Sequence, residues 1–385
     1  MATQRVYLDH ASAAPAHPAA LAALAQVARS LPGDPSRRHA EGRAARDLLE
    51  SARAATAAAL GVAAERVAFT SGGTEAVHLA VRGVATANRA RPRRILSAAV
   101  EHSAVLAAAD ASGCAHTRVP VDRDGRVDLD ALAAALRDGA ALVNLQHANH
   151  ETGTLQPVAE AAALCRDADA LLHVDACQTF GRLPVDVVTL GADLVSVSAA
   201  KFGGGRGTGA LAWSPRARFR PLLSGDEREG RRRAGLEHLP GIAAMAETLL
   251  HLRPGDPQGP AAAEVARCDR LRRRLRARLG DLDDVAVHGP PNDALPHIVA
   301  ASALYVDGET LAAELDRAGF AVHSGSSCAS TSGRPSHVLV AMGALTHGHV
   351  RVSFGPDVAG DVVERFAEAF ATAVGALRAR LGAGR

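Results

Sequence analysis

The distribution of apolar residues restricts the fold more than any other feature of the chain. Short, mainly apolar runs of strand length occur at 66–69, 94–96, 141–145, 170–174 and 194–197, separated by helical stretches of about a dozen residues. Runs without polar alternation suit strands buried on both faces, and such strands separated by helices build a mostly parallel sheet covered on both sides. The expected class is α/β. Ahead of the first run, Val6-Tyr7-Leu8-Asp9-His10 reads as an extended lead-in. Pro18 opens an alanine-rich helix that ends before Pro32-Gly33, and 41–60 is helical up to Gly61. Beyond about Pro240 the pattern changes. Helices at 242–252 and 261–279, joined by Pro254-Gly255-Asp256-Pro257, precede a smaller mixed part with strands near 285–287 and 350–353.

In a parallel sheet of this kind ligands bind beyond the carboxyl ends of the strands. The residues at those ends are Ser71 to Glu75, His102, Asn149 and His150, Asp175, Ser198 and Lys201. Lys201 is the only lysine among 43 basic Lys and Arg residues. Arginine stays protonated, whereas a lysine in a desolvated site can lose its proton and form a Schiff base. Gly72-Gly73-Thr74 at a helix start offers backbone amides, a hydroxyl and the positive end of a helix dipole to a phosphate. Asp175 suits a pyridinium nitrogen. Phosphate cradle, ring partner and lysine together describe a site for pyridoxal 5'-phosphate.

The overall balance excludes several other classes. A formal charge of +2 gives no strong pull toward nucleic acid or an anionic membrane, and 3% aromatic residues supply few stacking platforms. Five widely spaced cysteines form neither a disulfide framework nor a zinc ribbon, so no metal site is expected and a reducing compartment is. No apolar signal region opens the chain and alanine-rich stretches are broken by charges, so a soluble cytoplasmic protein is expected. Cys165 and Cys268 fall in helices and read as core. The glycine-rich stretch 203–209 lacks the Lys-Ser/Thr ending of a nucleotide loop.

Ordered motifs run through nearly the whole chain: Tyr7-Leu8-Asp9-His10-Ala11, Gly33-Asp34-Pro35-Ser36, Phe69-Thr70-Ser71-Gly72-Gly73-Thr74-Glu75, Glu101-His102-Ser103-Ala104-Val105, Asn149-His150-Glu151-Thr152-Gly153 and His173-Val174-Asp175-Ala176-Cys177-Gln178. They continue in Arg233-Ala234-Gly235, Pro240-Gly241, Ser326-Ser327-Cys328 and Val350-Arg351-Val352-Ser353. In these the chain resembles the cysteine desulfurases of the class V aminotransferase group, pyridoxal phosphate enzymes of fold type I. The resemblance implies a mostly parallel sheet of the seven-stranded type and a smaller α+β C-terminal domain. By it, residues 1–15 form an arm of the small domain, 16–240 the cofactor-binding domain, and 241–385 the linking helices and the small domain with its cysteine loop.

The resemblance also implies roles. Lys201 carries the cofactor and moves protons, Asp175 partners the ring nitrogen and His102 stacks on the ring. Gln178 and His150 lie near the ring, Gly73, Thr74 and Ser198 hold phosphate, and Asn149 and Arg351 bind substrate. Cys328 takes sulfur from L-cysteine as a persulfide, for a possible sulfur-acceptor protein, in a homodimer. The chain departs from the family pattern at His10 and His150, where asparagine is common, and at Ala200, Leu236 and His238. A related selenocysteine or other C–S lyase, and a partner protein that has lost the cofactor, remain open beside the desulfurase reading.

Overall fold

The computed structural model describes residues 5–88, 91–325 and 335–380. Twelve strands occur among these residues. They are β1 (Val6–Tyr7), β2 (Val67–Thr70), β3 (Arg94–Ala98), β4 (Ala115–Val119), β5 (Leu142–Gln146), β6 (Leu171–Asp175), β7 (Leu194–Ser198), β8 (Gly209–Trp213), β9 (Val285–His288), β10 (Ile298–Ala303), β11 (Phe320–Ala321) and β12 (His349–Ser353). Seven form one sheet in the order β2-β8-β7-β6-β5-β3-β4. Only β8 runs against its neighbours, so the sheet is mostly parallel, as its apolar runs require.

Two strands of this sheet are not among the apolar runs read from the sequence. Strand β4, Ala-His-Thr-Arg-Val, lies at the sheet edge with one neighbour and carries polar side chains on its more open face. Strand β8 grows directly out of the glycine-rich stretch and begins at Gly209. A Cβ there would lie 2.6 Å from both the Gly72 carbonyl carbon and the Val197 oxygen. Gly209 therefore lets three chain segments meet beside the cavity described below.

Helices cover both faces. Pro18–Ser30, Ala40–Ala59, Val158–Asp167 and Leu239–Leu252 pack on one side, around Leu49, Val143, Val174, Val195 and Met245. Gly73–Ala87 and Ser103–Asp110 pack on the other, around Val81, Val105, Leu142 and Leu194. A third apolar cluster joins helices Pro260–Gly280, Gly308–Arg317 and Val362–Arg380 to a three-stranded antiparallel sheet, β12-β10-β9. The beginning of the chain belongs spatially with this last part. Strand β1 pairs with β11, and Asp9 bridges to Ser353 of β12.

Register in the large sheet is fixed by polar side chains as well as apolar ones. Across β3, β5, β6 and β7 run Ser97, Asn144, His173 and Ser196, each inaccessible to solvent. Asn144 Nδ2 donates to Ser97 Oγ at 3.0 Å, His173 Nδ1 donates to Asn144 Oδ1 at 2.9 Å, and Ser196 Oγ donates to His173 Nε2 at 3.1 Å. The amide oxygen of Asn144 can only accept, which assigns the His173 proton to Nδ1. His116 on β4 completes the row, 3.1 Å from Ser97 Oγ and 2.7 Å from Asp110. Sliding one strand by one residue would turn its member to the opposite face and strand its neighbours without partners.

Asn144→Ala removes the centre of this row and leaves the His173 Nδ1–H without its acceptor and Ser97 Oγ without the donor it accepts from. Chemical denaturation should show a loss of about 2–4 kcal/mol; a variant as stable as the parent would show that the row does not fix the sheet.

The interior also holds neutral histidines. Burial pushes His173, His288 and His349 down to about 4, and burial reinforced by Arg182 lowers His297 well below the usual 6.5. At pH values between these limits the unfolded chain binds protons that the folded chain does not. Stability is therefore full above about 6.5 and declines as the pH falls toward about 4. The melting temperature should drop steadily through that window, and a flat profile would contradict the assignment.

Candidate functional site

The carboxyl ends of β2, β3, β5, β6 and β7 open on one edge of the large sheet, and a single cavity of about 270 Å³ lies against them. After β2 the chain turns at Gly72, which has φ +151°, and the helix Gly73–Ala87 begins at the cavity wall. A Cβ on Gly73 would lie 2.6 Å from Cys177 Sγ and 3.2 Å from Ser198 Cβ, so only glycine allows the helix start this close. The first-turn amides of a helix lack intrahelical partners and carry positive potential, with Thr74 and Ser198 hydroxyls on the same wall.

After β3 come Glu101 and His102, and His102 forms the next wall. Glu101 is fully buried; its Oε1 accepts from the Gln146 amide at 2.7 Å. Burial, with Asp175 adding to it, pushes its carboxyl up to about 8. His102 Nδ1 accepts from the Ala104 amide at 3.1 Å and caps the helix Ser103–Asp110. Burial and the nearby His150 push His102 down to about 4, so the ring is neutral. Asp175 closes β6 and takes the Cys177 amide on Oδ1 at 3.0 Å.

Lys201 follows β7 through the short helical turn Ala199–Lys201. Its Nζ donates to the carbonyls of Ala11 at 2.9 Å and Ser12 at 2.8 Å. Burial lowers its pKa, with Arg351 acting in the same direction, which raises the share of free amine. Gln178 Nε2 shares the Ala11 carbonyl at 2.9 Å. Arg351, on β12, donates to Asp9 Oδ1 and Ser12 Oγ, both at 2.7 Å, and to the His150 carbonyl at 2.9 Å. Among the described residues its Nε is buried without a partner. The segment 9–12 thus ties the small sheet to the lysine.

Gly73, Thr74, His102, His150, Asp175, Gln178, Ser198, Lys201 and Arg351 all line this cavity. Asn149 does not. It is fully buried behind the wall, where Oδ1 accepts from the amides of Glu151 and Thr152 and Nδ2 donates to the Val100 carbonyl. Its place in the fold is to hold the turn that presents His150. Cys328 lies outside the described residues. The wall also contains Ala11, Ser12, Glu151, Cys177, His323 and His337, which were not singled out as site residues from the sequence. The two histidines flank the stretch containing Cys328, which was the one available signal for them.

These donors fit pyridoxal phosphate: an amine with lowered basicity, an acid at a strand end, and a helix start where a side chain is sterically refused. Comparison with known proteins agrees. The family model for aminotransferase class V matches residues 6–366. The chain is 37% identical to the cysteine desulfurase IscS of Dictyoglomus turgidum over 359 residues, covering 91% of this chain and 90% of that protein. It is 38% identical to a cysteine desulfurase of Cereibacter sphaeroides over 384 residues, covering 98% and 97%. Among solved structures, a NifS-like protein superposes with a TM-score of 0.87 at 28% identity, covering 96% of this chain and 99% of that one. Characterised members of these groups are pyridoxal phosphate enzymes. With the site geometry, the match along almost the full length settles the family: the chain belongs to the class V aminotransferases.

Proposed function

We propose that this protein is a pyridoxal phosphate-dependent cysteine desulfurase, acting on L-cysteine as a cytoplasmic homodimer and passing sulfur through Cys328 to an acceptor. The observation that carries this reading is the convergence of Lys201, Asp175 and the Gly73 helix start on one cavity. Bound there, the cofactor supplies an aldehyde for the substrate amine and a ring that accepts electrons. Gly73, Thr74 and Ser198 would hold its phosphate, and Asp175 would hold a proton on its ring nitrogen. His102, neutral and with Nδ1 engaged by the Ala104 amide, offers a ring face rather than a proton.

Arg351 is the group for the substrate carboxylate, since it lines the cavity and Asp9 fixes the guanidinium. Lys201 Nζ, held by the Ala11 and Ser12 carbonyls and lowered in basicity by burial, would take and return a proton at the substrate carbon. In the transfer the C–S bond of cysteine breaks, an S–S bond forms on the Cys328 thiolate, and the carbon left behind takes a proton. Cysteine and one thiol become alanine and a persulfide. The division into residues 1–15, 16–240 and 241–385 belongs to the same reading. Its support is the pairing of β1 with β11 and the separate apolar cluster of the C-terminal part.

Protein mixed with pyridoxal phosphate should turn yellow, and borohydride should fix the cofactor on the Lys201 peptide, as read by mass spectrometry. Lys201→Ala should take up the cofactor without that covalent mark. A protein that stays colourless would end this reading.

Cys328→Ser should keep the cofactor's colour but lower alanine formation from cysteine on the order of a hundredfold or more. Undiminished alanine release would remove Cys328 from the reaction.

A further inference from the structure

Strand β2 is the last strand of the large sheet, so one side of its backbone has no neighbouring strand. An ion pair stands there instead. Arg53, from the helix Ala40–Ala59, donates to the Val67 carbonyl at 2.9 Å and to the two carboxylate oxygens of Glu229 at 2.6 and 2.8 Å. Glu229 Oε2 also accepts from the Phe69 amide at 2.7 Å, and the Glu229 side chain is 1% exposed. Glu229, Gly230 and Arg231 all have positive φ, at 48°, 59° and 65°, and two of the three are not glycine. Backbone of this kind persists only where its surroundings fix it. The carboxylate seated on β2 is one such fixture, and Arg228, bonded to Asp34 and Glu237, is another.

Strand β2 leads straight into the turn that starts the helix Gly73–Ala87. Gly72 and Gly73 have no side chains with which to hold that turn. Thr70 Oγ1 donates to the Gly72 carbonyl at 3.0 Å, and Glu75 Oε2 accepts from the Ser71 amide at 2.8 Å. Glu75 is in turn fixed from outside, where Arg233 Nε donates to its Oε1 at 3.1 Å. The strap 229–233 therefore holds the chain on both sides of the turn, at Phe69 before it and at Glu75 after it. Gly209 backs the turn from a third direction.

We propose that Glu229 and Arg233 are positioning residues for the anion-binding turn 72–74. Through Phe69 and Glu75 they hold the first-turn amides of the helix Gly73–Ala87 and the Thr74 hydroxyl in place for a phosphate group. Neither residue is part of the cavity wall. Their effect is confined to the phosphate end of the site. Asp175 and Lys201 are set by β6 and β7, and β8 stands between these strands and β2. The identity of the phosphate rests on the proposed function; the hold on the turn does not.

Removing Glu229 alone would leave Arg53 buried without its partner. The test therefore uses the double variant Arg53→Met, Glu229→Leu, which removes both charges, and Arg233→Met on the more open arm of the strap. Cofactor-free protein is titrated with pyridoxal phosphate and, separately, with pyridoxal, and uptake is read from visible absorbance. Both variants should bind the phosphate form about tenfold more weakly than wild type and bind pyridoxal equally well. Unchanged affinity for the phosphate form, or an equal loss for both forms, would overturn the proposal. Hydrogen exchange needs no cofactor and separates the inference from the proposed function. Peptides spanning 69–76 should exchange about tenfold faster in the variants, while Ser103–Asp110 keeps its wild-type rate. A wild type that takes up neither form would count against the proposed function alone, whereas exchange at 69–76 as slow in the variants as in wild type would overturn the inference in either case.

Discussion

The structure depends first on the register of its parallel strands, and register depends on the buried row Ser97, Asn144, His173 and Ser196. Apolar contacts are non-directional and tolerate a slipped strand that still buries its side chains. Hydrogen bonds between named atoms do not, and a half-satisfied row costs more than an apolar one. Because the row runs through the middle of the sheet, the strand ends are aligned a few residues further on. Asp175 comes two residues after His173, and Ser198 two residues after Ser196, on the same face in each case. The acid and the lysine turn are thus placed by side chains that never touch the cavity.

A second constraint couples the sheet edge to the smaller antiparallel sheet. Residues 9–12 give two carbonyls to Lys201, one of them shared with Gln178, and a carboxylate and a hydroxyl to Arg351. The same segment is anchored to β12, where the Ala11 amide donates to Ser353 Oγ at 2.9 Å. The groups proposed to bind substrate and to carry the cofactor, Arg351 and Lys201, are thereby set from one short piece of backbone. Movement of the smaller sheet relative to the larger would be felt at both ends of the substrate at once.

The parallel core was legible because its strands are buried on both faces and their apolar runs are unbroken by alternation. The convergence of Asp175 and Lys201 on one cavity was legible because parallel strands present their carboxyl ends together. Strands β4 and β8 were not legible, for opposite reasons: one is half-exposed at the edge, and the other begins on a glycine whose meaning lies in a tertiary contact with Gly72. Asn149 shows a different limit. Adjacent to a wall residue in sequence, it faces the other way, and only the turn geometry of 149–154 shows that its amide is consumed by backbone.

The same electrostatics bears on which sulfur can react. Cys177 lies on the cavity wall beside Asp175 and at first sight is the better placed thiol. Reaction requires the thiolate. Burial, with the Asp175 charge and its hydrogen bond acting in the same sense, raises the Cys177 pKa well above its usual value, and Lys201 opposes this only weakly. Its proton is held where a second negative charge next to Asp175 would be most costly. Burial and the Asp175 charge therefore hold the nearest cysteine as a thiol, which favours the sulfur-accepting role proposed for Cys328 over one for Cys177.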